Sequence, residues 1–131
     1  MGYTRYWKRT DKDITEDFVN EVNKIIEDCD TKGIIIRGWD GTGLPEITLD
    51  KIMFNGNADT GLEHETFFIG STGEDSGFNF CKTACKPYDY AVRETLRAAE
   101  RYGLVFDVSD DGENEEIISD DEYIKRWGVI L

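Results

Sequence analysis

Apolar residues at Phe18, Val22, Ile25, Ile26 and Cys29 recur at spacings of three and four, which predicts a helix with one stripe turned to a core. Thr15 is its expected N-cap: Glu16 and Asp17 then sit at the positive end of the helix dipole, and Ile14 and Val19 are spaced as a hydrophobic staple. Gly33 offers the left-handed stop. A second stripe, Ala91, Val92, Thr95, Leu96 and Ala99, predicts a helix that opens near Pro87, runs to Tyr102 and stops at Gly103.

Between these helices the pattern is that of strands. Residues 3–9 mix aromatics with charges, the composition of an edge or half-exposed strand. Ile34, Ile35 and Ile36 form a β-branched run that reads as a short buried strand, and residues 38–45 are too rich in glycine to be anything but a loop. Further strands are expected over 47–54, 63–69, 78–80 and 104–108, separated by turns at 55–57, 70–77 and 110–112. A short capped helix is expected over 120–127. Consecutive strands without helical crossovers predict an α+β fold: a mostly antiparallel sheet of about five strands, two main helices on one face, and the short C-terminal helix. No repeat, linker or shift of composition divides the chain, so residues 1–131 read as a single domain.

Composition narrows the class. With 39% hydrophobic and 12% aromatic residues, the chain can bury a core and is not a disordered acidic tail. No run approaches the roughly 18 apolar residues that span a bilayer, and the start has neither an apolar leader core nor a small-residue cleavage site. A cytoplasmic protein is expected. Met1 and Gly2 open like a myristoylation signal, but Arg5 and Tyr6 stand where that signal takes small or hydroxyl residues.

Charge sets the expected partners. The chain has 28 Asp and Glu against 15 Lys and Arg, a net −13, which repels nucleic acid and anionic membranes and favours basic proteins. Three cysteines, Cys29, Cys81 and Cys85, cannot all pair and read as thiols of a reducing compartment. On a helix Cys81 and Cys85 would share a face and, with His64, offer three zinc ligands. Structural zinc takes four with tighter spacing, so buried small hydrophobes is the preferred reading, with no metal and no cofactor.

The charge is uneven. Asp107, Asp110, Asp111, Glu113, Glu115, Glu116, Asp120, Asp121 and Glu122 form a stretch without a base, an acidic partner-binding surface able to imitate a phosphate backbone. Its bland alternative is a solubilising surface; a calcium loop lacks the alternating ligand pattern. Arg93, Arg97 and Arg101, spaced four apart, lie on one helix face near Lys82 and Lys86. They are solvated or paired with the surplus carboxylates, line a pocket for a phosphate-bearing ligand, or make a self-association interface. Trp39 and Asp40, in a glycine-rich loop that lacks the phosphate-loop ending, could stack on and hydrogen-bond a base, or Trp39 simply caps the core. His64 between Glu63 and Glu65 is a candidate base for a small hydrolase, with no nucleophile assignable to it.

The stretches from Met1 to Trp7, Gly61 to Phe67 and Phe80 to Asp89 resemble a family of small uncharacterised proteins of tailed bacteriophages and prophages, over most of the chain. Those relatives read Phe-Cys-Lys-Thr-Ala-Arg-Lys-Pro-Tyr-Asp in the third stretch; here Cys85 replaces the arginine, and Arg5 stands where histidine is commoner. The resemblance implies no reaction. It implies an accessory factor that disarms a host defence by binding, and Lys82, Thr83, Lys86, Tyr88 and Asp89, at a helix start, are expected to form a ligand-facing wall. The resulting expectation is a non-enzymatic inhibitor of a basic host protein such as a nuclease, without direct binding of DNA, RNA or membrane. The alternatives are a sponge that sequesters a nucleotide, then the hydrolase.

Overall fold

The structure, a computed structural model, describes residues 3–71 and 77–111. In order these form β1 (Thr4–Arg9), α1 (Glu16–Thr31), β2 (Glu46–Ile47), β3 (Lys51–Phe54), a single 3-10 turn (Ala58–Thr60), β4 (Phe67–Gly70), β5 (Gly77–Lys82), α2 (Asp89–Arg101) and β6 (Val105–Asp110). The class is α+β and every strand pairing is antiparallel, but the strands form two sheets of three, β5-β1-β6 and β2-β3-β4, where one sheet of about five was expected. The helix expected over 120–127 lies outside the described residues.

Both helices begin and end as their sequences dictate. The Thr15 hydroxyl accepts the Phe18 amide at 3.2 Å, and Phe18, Val22 and Cys29 are buried along the predicted stripe. At the far end the Ile34 amide donates to Cys29 O and the Gly33 amide to Asp30 O, with Gly33 at φ 82°: the paired bonds of a glycine-terminated helix. α2 closes identically, through Leu104 to Ala99 O and Gly103 to Glu100 O. All five residues of its predicted stripe are buried.

That C-terminal closure corrects one expectation. Ile34, Ile35 and Ile36 form no strand, because the Ile34 amide is spent on closing α1; the chain meets the sheet only at a bridge between Arg37 and Asn55. The segment 47–54 likewise divides into the β2-β3 hairpin, whose turn is held by Thr48 bonding to Lys51. β1, expected as an edge or half-exposed strand, is half-exposed but lies at the centre of its sheet, with Arg5, Trp7 and Arg9 buried.

Side chains interrupt the ladder between the two sheets. The buried Arg9 guanidinium takes Gly70 O, at the end of β4, at 2.9 Å, and the Tyr88 hydroxyl donates to Glu65 O at 2.5 Å. The core is nonetheless continuous: Trp7 of one sheet packs on Phe67 of the other with ring centres 5.3 Å apart, and Phe67 on Phe54 at 5.0 Å. Beneath β1, Arg5 fastens α2 to the sheet.

Candidate functional site

Asp89 sits in the first turn of α2 and is buried against β1. Its two oxygens receive Arg5 Nε at 2.8 Å and Arg5 Nη2 at 2.7 Å, and Thr83 Oγ1 donates to the same carboxylate at 2.6 Å. The Arg5 guanidinium also lies over the Tyr3 ring at 5.3 Å and reaches Asp110 at 3.5 Å. Burial penalises its charge, but the hydrogen bonds and attraction of Asp89 outweigh that, so Arg5 is held above the usual arginine range. Thr83, Tyr88 and Asp89 therefore tie the motif together inside the protein. Lys86 Nζ bonds Gly61 O at 2.9 Å, and Lys82 stands exposed on β5.

The turn that joins β5 to α2 is strained. Ala84 and Cys85 have φ of 55° and 57°, a left-handed pair closed by the Lys86 amide donating to Thr83 O at 3.0 Å. Cys81 is buried in β5 while Cys85 lies in this turn, so the two sulfurs do not share a helix face. Among the described residues no group of three or more His, Cys, Asp or Glu is arranged to hold a metal. Burial pushes the Cys29 and Cys81 thiols up to about 12, which keeps both protonated and poor as nucleophiles.

The arginines of α2 meet carboxylates. Arg93 Nε and Arg97 Nη1 bond Glu94 at 3.0 and 3.1 Å, Arg101 bonds Glu21 of α1 at 3.3 Å, and Arg93 also covers the Tyr90 ring at 5.0 Å. The groove beside Arg93 and Arg97 has a volume of about 180 Å³ and is lined by both, by Arg5 and by the carboxylates of Glu100 and Asp110, but by neither Lys82 nor Lys86. Ligand pockets run to about 300 Å³ or more, so this groove is small for a nucleotide, and its two carboxylates offset part of the guanidinium charge.

Trp39 is exposed on the glycine-rich loop, which Asn55 and Thr66 pin by bonding its backbone carbonyl. Asp40 beside it is occupied: the Thr42 hydroxyl and amide bond its carboxylate at 2.7 and 3.0 Å and hold it below the usual range. His64 is exposed, and no described side chain orients its imidazole as a catalytic base requires.

The acidic stretch is paired where it is described. Asp107 meets Lys8 at 3.4 Å, Asp110 meets Arg5, and Asp111 accepts the Thr4 amide and the Tyr6 hydroxyl. Glu113, Glu115, Glu116, Asp120, Asp121 and Glu122 lie outside the described residues. Exposed acid is spread over the surface: Glu16, Asp17, Glu27 and Asp30 of α1, and Asp11, Asp50, Asp59 and Glu100 elsewhere, are in no ion pair among the described residues.

Glu27, Asp28 and Asp30 crowd the C-terminal end of α1, where exposed carbonyls already carry partial negative charge; the last turn has no base, and Lys32 at the C-cap meets only Asp28, at 3.4 Å, among the described residues. Against this end lies a groove of about 560 Å³ whose lining includes Ile26, Ile34, Ile35 and Leu44, two carboxylates, Glu27 and Asp30, and one cation, Arg37. Leu44 is 85% exposed and Ile35 44%. The groove needs the closure of α1 and the approach of the glycine-rich loop, so only its acidic half was legible as sequence.

A second surface was missed, though a signal for it existed. Phe78 and Phe80 alternate along β5, as Tyr6 and Lys8 do along β1, so period-two patterning places all four on one face. The strand expected over 78–80 carried no expectation of which face its rings would take. In the structure this face looks outward, with Phe78, Phe80 and Phe106 at 63%, 50% and 46% exposure.

Compared with family models, curated proteins and solved structures, the chain matches none of them. No helix of the described residues is long and apolar enough to cross a membrane.

Proposed function

We propose that the protein acts by binding a basic, nucleic-acid-handling protein of a bacterial host, as an accessory factor of a phage or prophage. The acidic end of α1 and the apolar groove beside it form the contact. The observation that carries this reading is the placement of Glu27 and Asp30, exposed and in no ion pair among the described residues, at the negative pole of α1, an arrangement that opposes the helix's own stability and suits a cationic partner. The surplus of 13 negative charges works in the same direction, drawing a basic surface in from a distance. The groove then supplies the apolar contact that charge alone lacks.

The test is displacement. A basic nuclease holding a labelled DNA duplex is titrated with the protein, and release is followed by fluorescence anisotropy at low and high salt. Release at low salt that weakens steeply as salt rises supports the reading. No release from any basic nucleic-acid-binding protein at low salt overturns it.

A further inference from the structure

We infer that the outer face of the β5-β1-β6 sheet captures an arginine side chain of a partner, its guanidinium stacked on Tyr6 and Phe78 and paired with the carboxylate of Asp107. This goes beyond the proposed function, on which it rests for a basic partner, by adding a second contact surface and naming the residue type that the partner presents to it. The site is a groove of about 640 Å³ lined by Tyr6, Lys8, Phe78, Asp107 and Ser109 among others. Its size is that of a ligand pocket, and it combines ring faces with a small number of polar groups.

Three features point to a planar cation. Tyr6 and Phe78 lie 6.0 Å apart at an interplanar angle of 26°, a platform that continues to Phe80 at 6.2 Å. Large rings so exposed, side by side on one sheet face, are unusual in a protein without a partner. Asp107 stands in a β-bulge, two residues of β6 opposing Trp7, at φ 52°, where glycine is the comfortable choice. Asp107 lines the same groove as Tyr6 and Phe78, and its carboxylate reaches Lys8 at 3.4 Å.

The protein already uses this chemistry twice. Arg5 is clasped by Asp89 beneath the Tyr3 ring, and Arg93 lies over Tyr90 while bonding Glu94. In the outer groove the Asp107 carboxylate is paired, among the described residues, only with Lys8, at 3.4 Å and largely in solvent, a contact that water and salt screen heavily. An incoming guanidinium replaces that ammonium with two parallel hydrogen bonds and adds stacking on the rings, which lysine supplies less well. Charge also selects against nucleic acid: Lys8 is engaged by Asp107, and Asp110 and Asp111 lie along the same edge of the sheet.

The experiment compares labelled oligo-arginine, oligo-lysine of equal length and oligothymidylate by fluorescence anisotropy at one salt concentration. Oligo-arginine is expected to bind about fivefold more tightly than oligo-lysine, and oligothymidylate not to bind. Phe78→Ala and Asp107→Asn should each abolish the preference for arginine; Phe78 is exposed and asparagine tolerates the left-handed region, so both variants should keep the wild-type circular dichroism. Equal, salt-sensitive binding of the two peptides overturns this inference and leaves the proposed function standing. Failure of both peptides to bind removes both. Binding of oligothymidylate as tightly as oligo-arginine overturns it in favour of a nucleic-acid platform.

Discussion

Asp89 shows how a residue expected to face a ligand is used to hold the fold. With both oxygens on Arg5 and a third bond from Thr83, its carboxylate is satisfied without any outside group. Asp89→Asn leaves the buried guanidinium short of its counter-charge and should cost about 3–5 kcal/mol in urea denaturation. Arg97→Ala, at a half-exposed surface pair, should change stability by less than about 0.5 kcal/mol. Equal effects would mean that the Arg5–Asp89 pair is not buried in solution.

Residue-scale burial also fixes an alkaline limit. Cys29 and Cys81 are pushed from an ordinary 9.0 up to about 12, and Tyr90 from 10.0 to about 12, each chiefly by burial. The unfolded chain loses these protons first, so the folded state binds more protons at high pH and its stability falls as pH rises. Stability should hold up to about pH 9 and decline through pH 12, measured by urea midpoints at each pH. A midpoint unchanged across that window would show these groups to be solvated.

At the scale of elements, α1 is the clearest case of sequence dictating structure. Thr15, the stripe from Phe18 to Cys29 and Gly33 mark its start, face and end, because each acts through bonds within a few residues. The two sheets were not legible, because what divides them is long-range: Arg9 reaching Gly70, and Tyr88 reaching Glu65. The same holds for the Ile34 to Ile36 run, whose β-branched side chains read as a strand although its first amide belongs to the helix closure. In the candidate site, acidity could be read from composition, whereas the groove and the outward aromatic face depend on which strand is central. α1 makes a prediction of opposite signs: Glu27→Lys with Asp30→Lys should raise stability by about 0.3–1 kcal/mol per position, by favouring the helix dipole, while weakening the binding of cationic peptides. A variant that is both less stable and unimpaired in binding would remove the functional explanation for those carboxylates.

Across the whole molecule, positive charge is largely engaged and negative charge is in surplus. Among the described residues Arg5, Lys8, Lys32, Lys51, Arg93, Arg97 and Arg101 each meet a carboxylate, and the exposed acid in no such pair, on α1 and elsewhere, sets the outer field. The direct measurement is titration of oligo-lysine into the wild-type protein and into the Glu27→Lys, Asp30→Lys variant by calorimetry at several salt concentrations. The account predicts wild-type binding whose logarithmic affinity falls linearly with the logarithm of salt, and a drop of about tenfold or more in the variant at low salt. Wild-type affinity that ignores salt, or a variant that binds as well as the wild type, would contradict it.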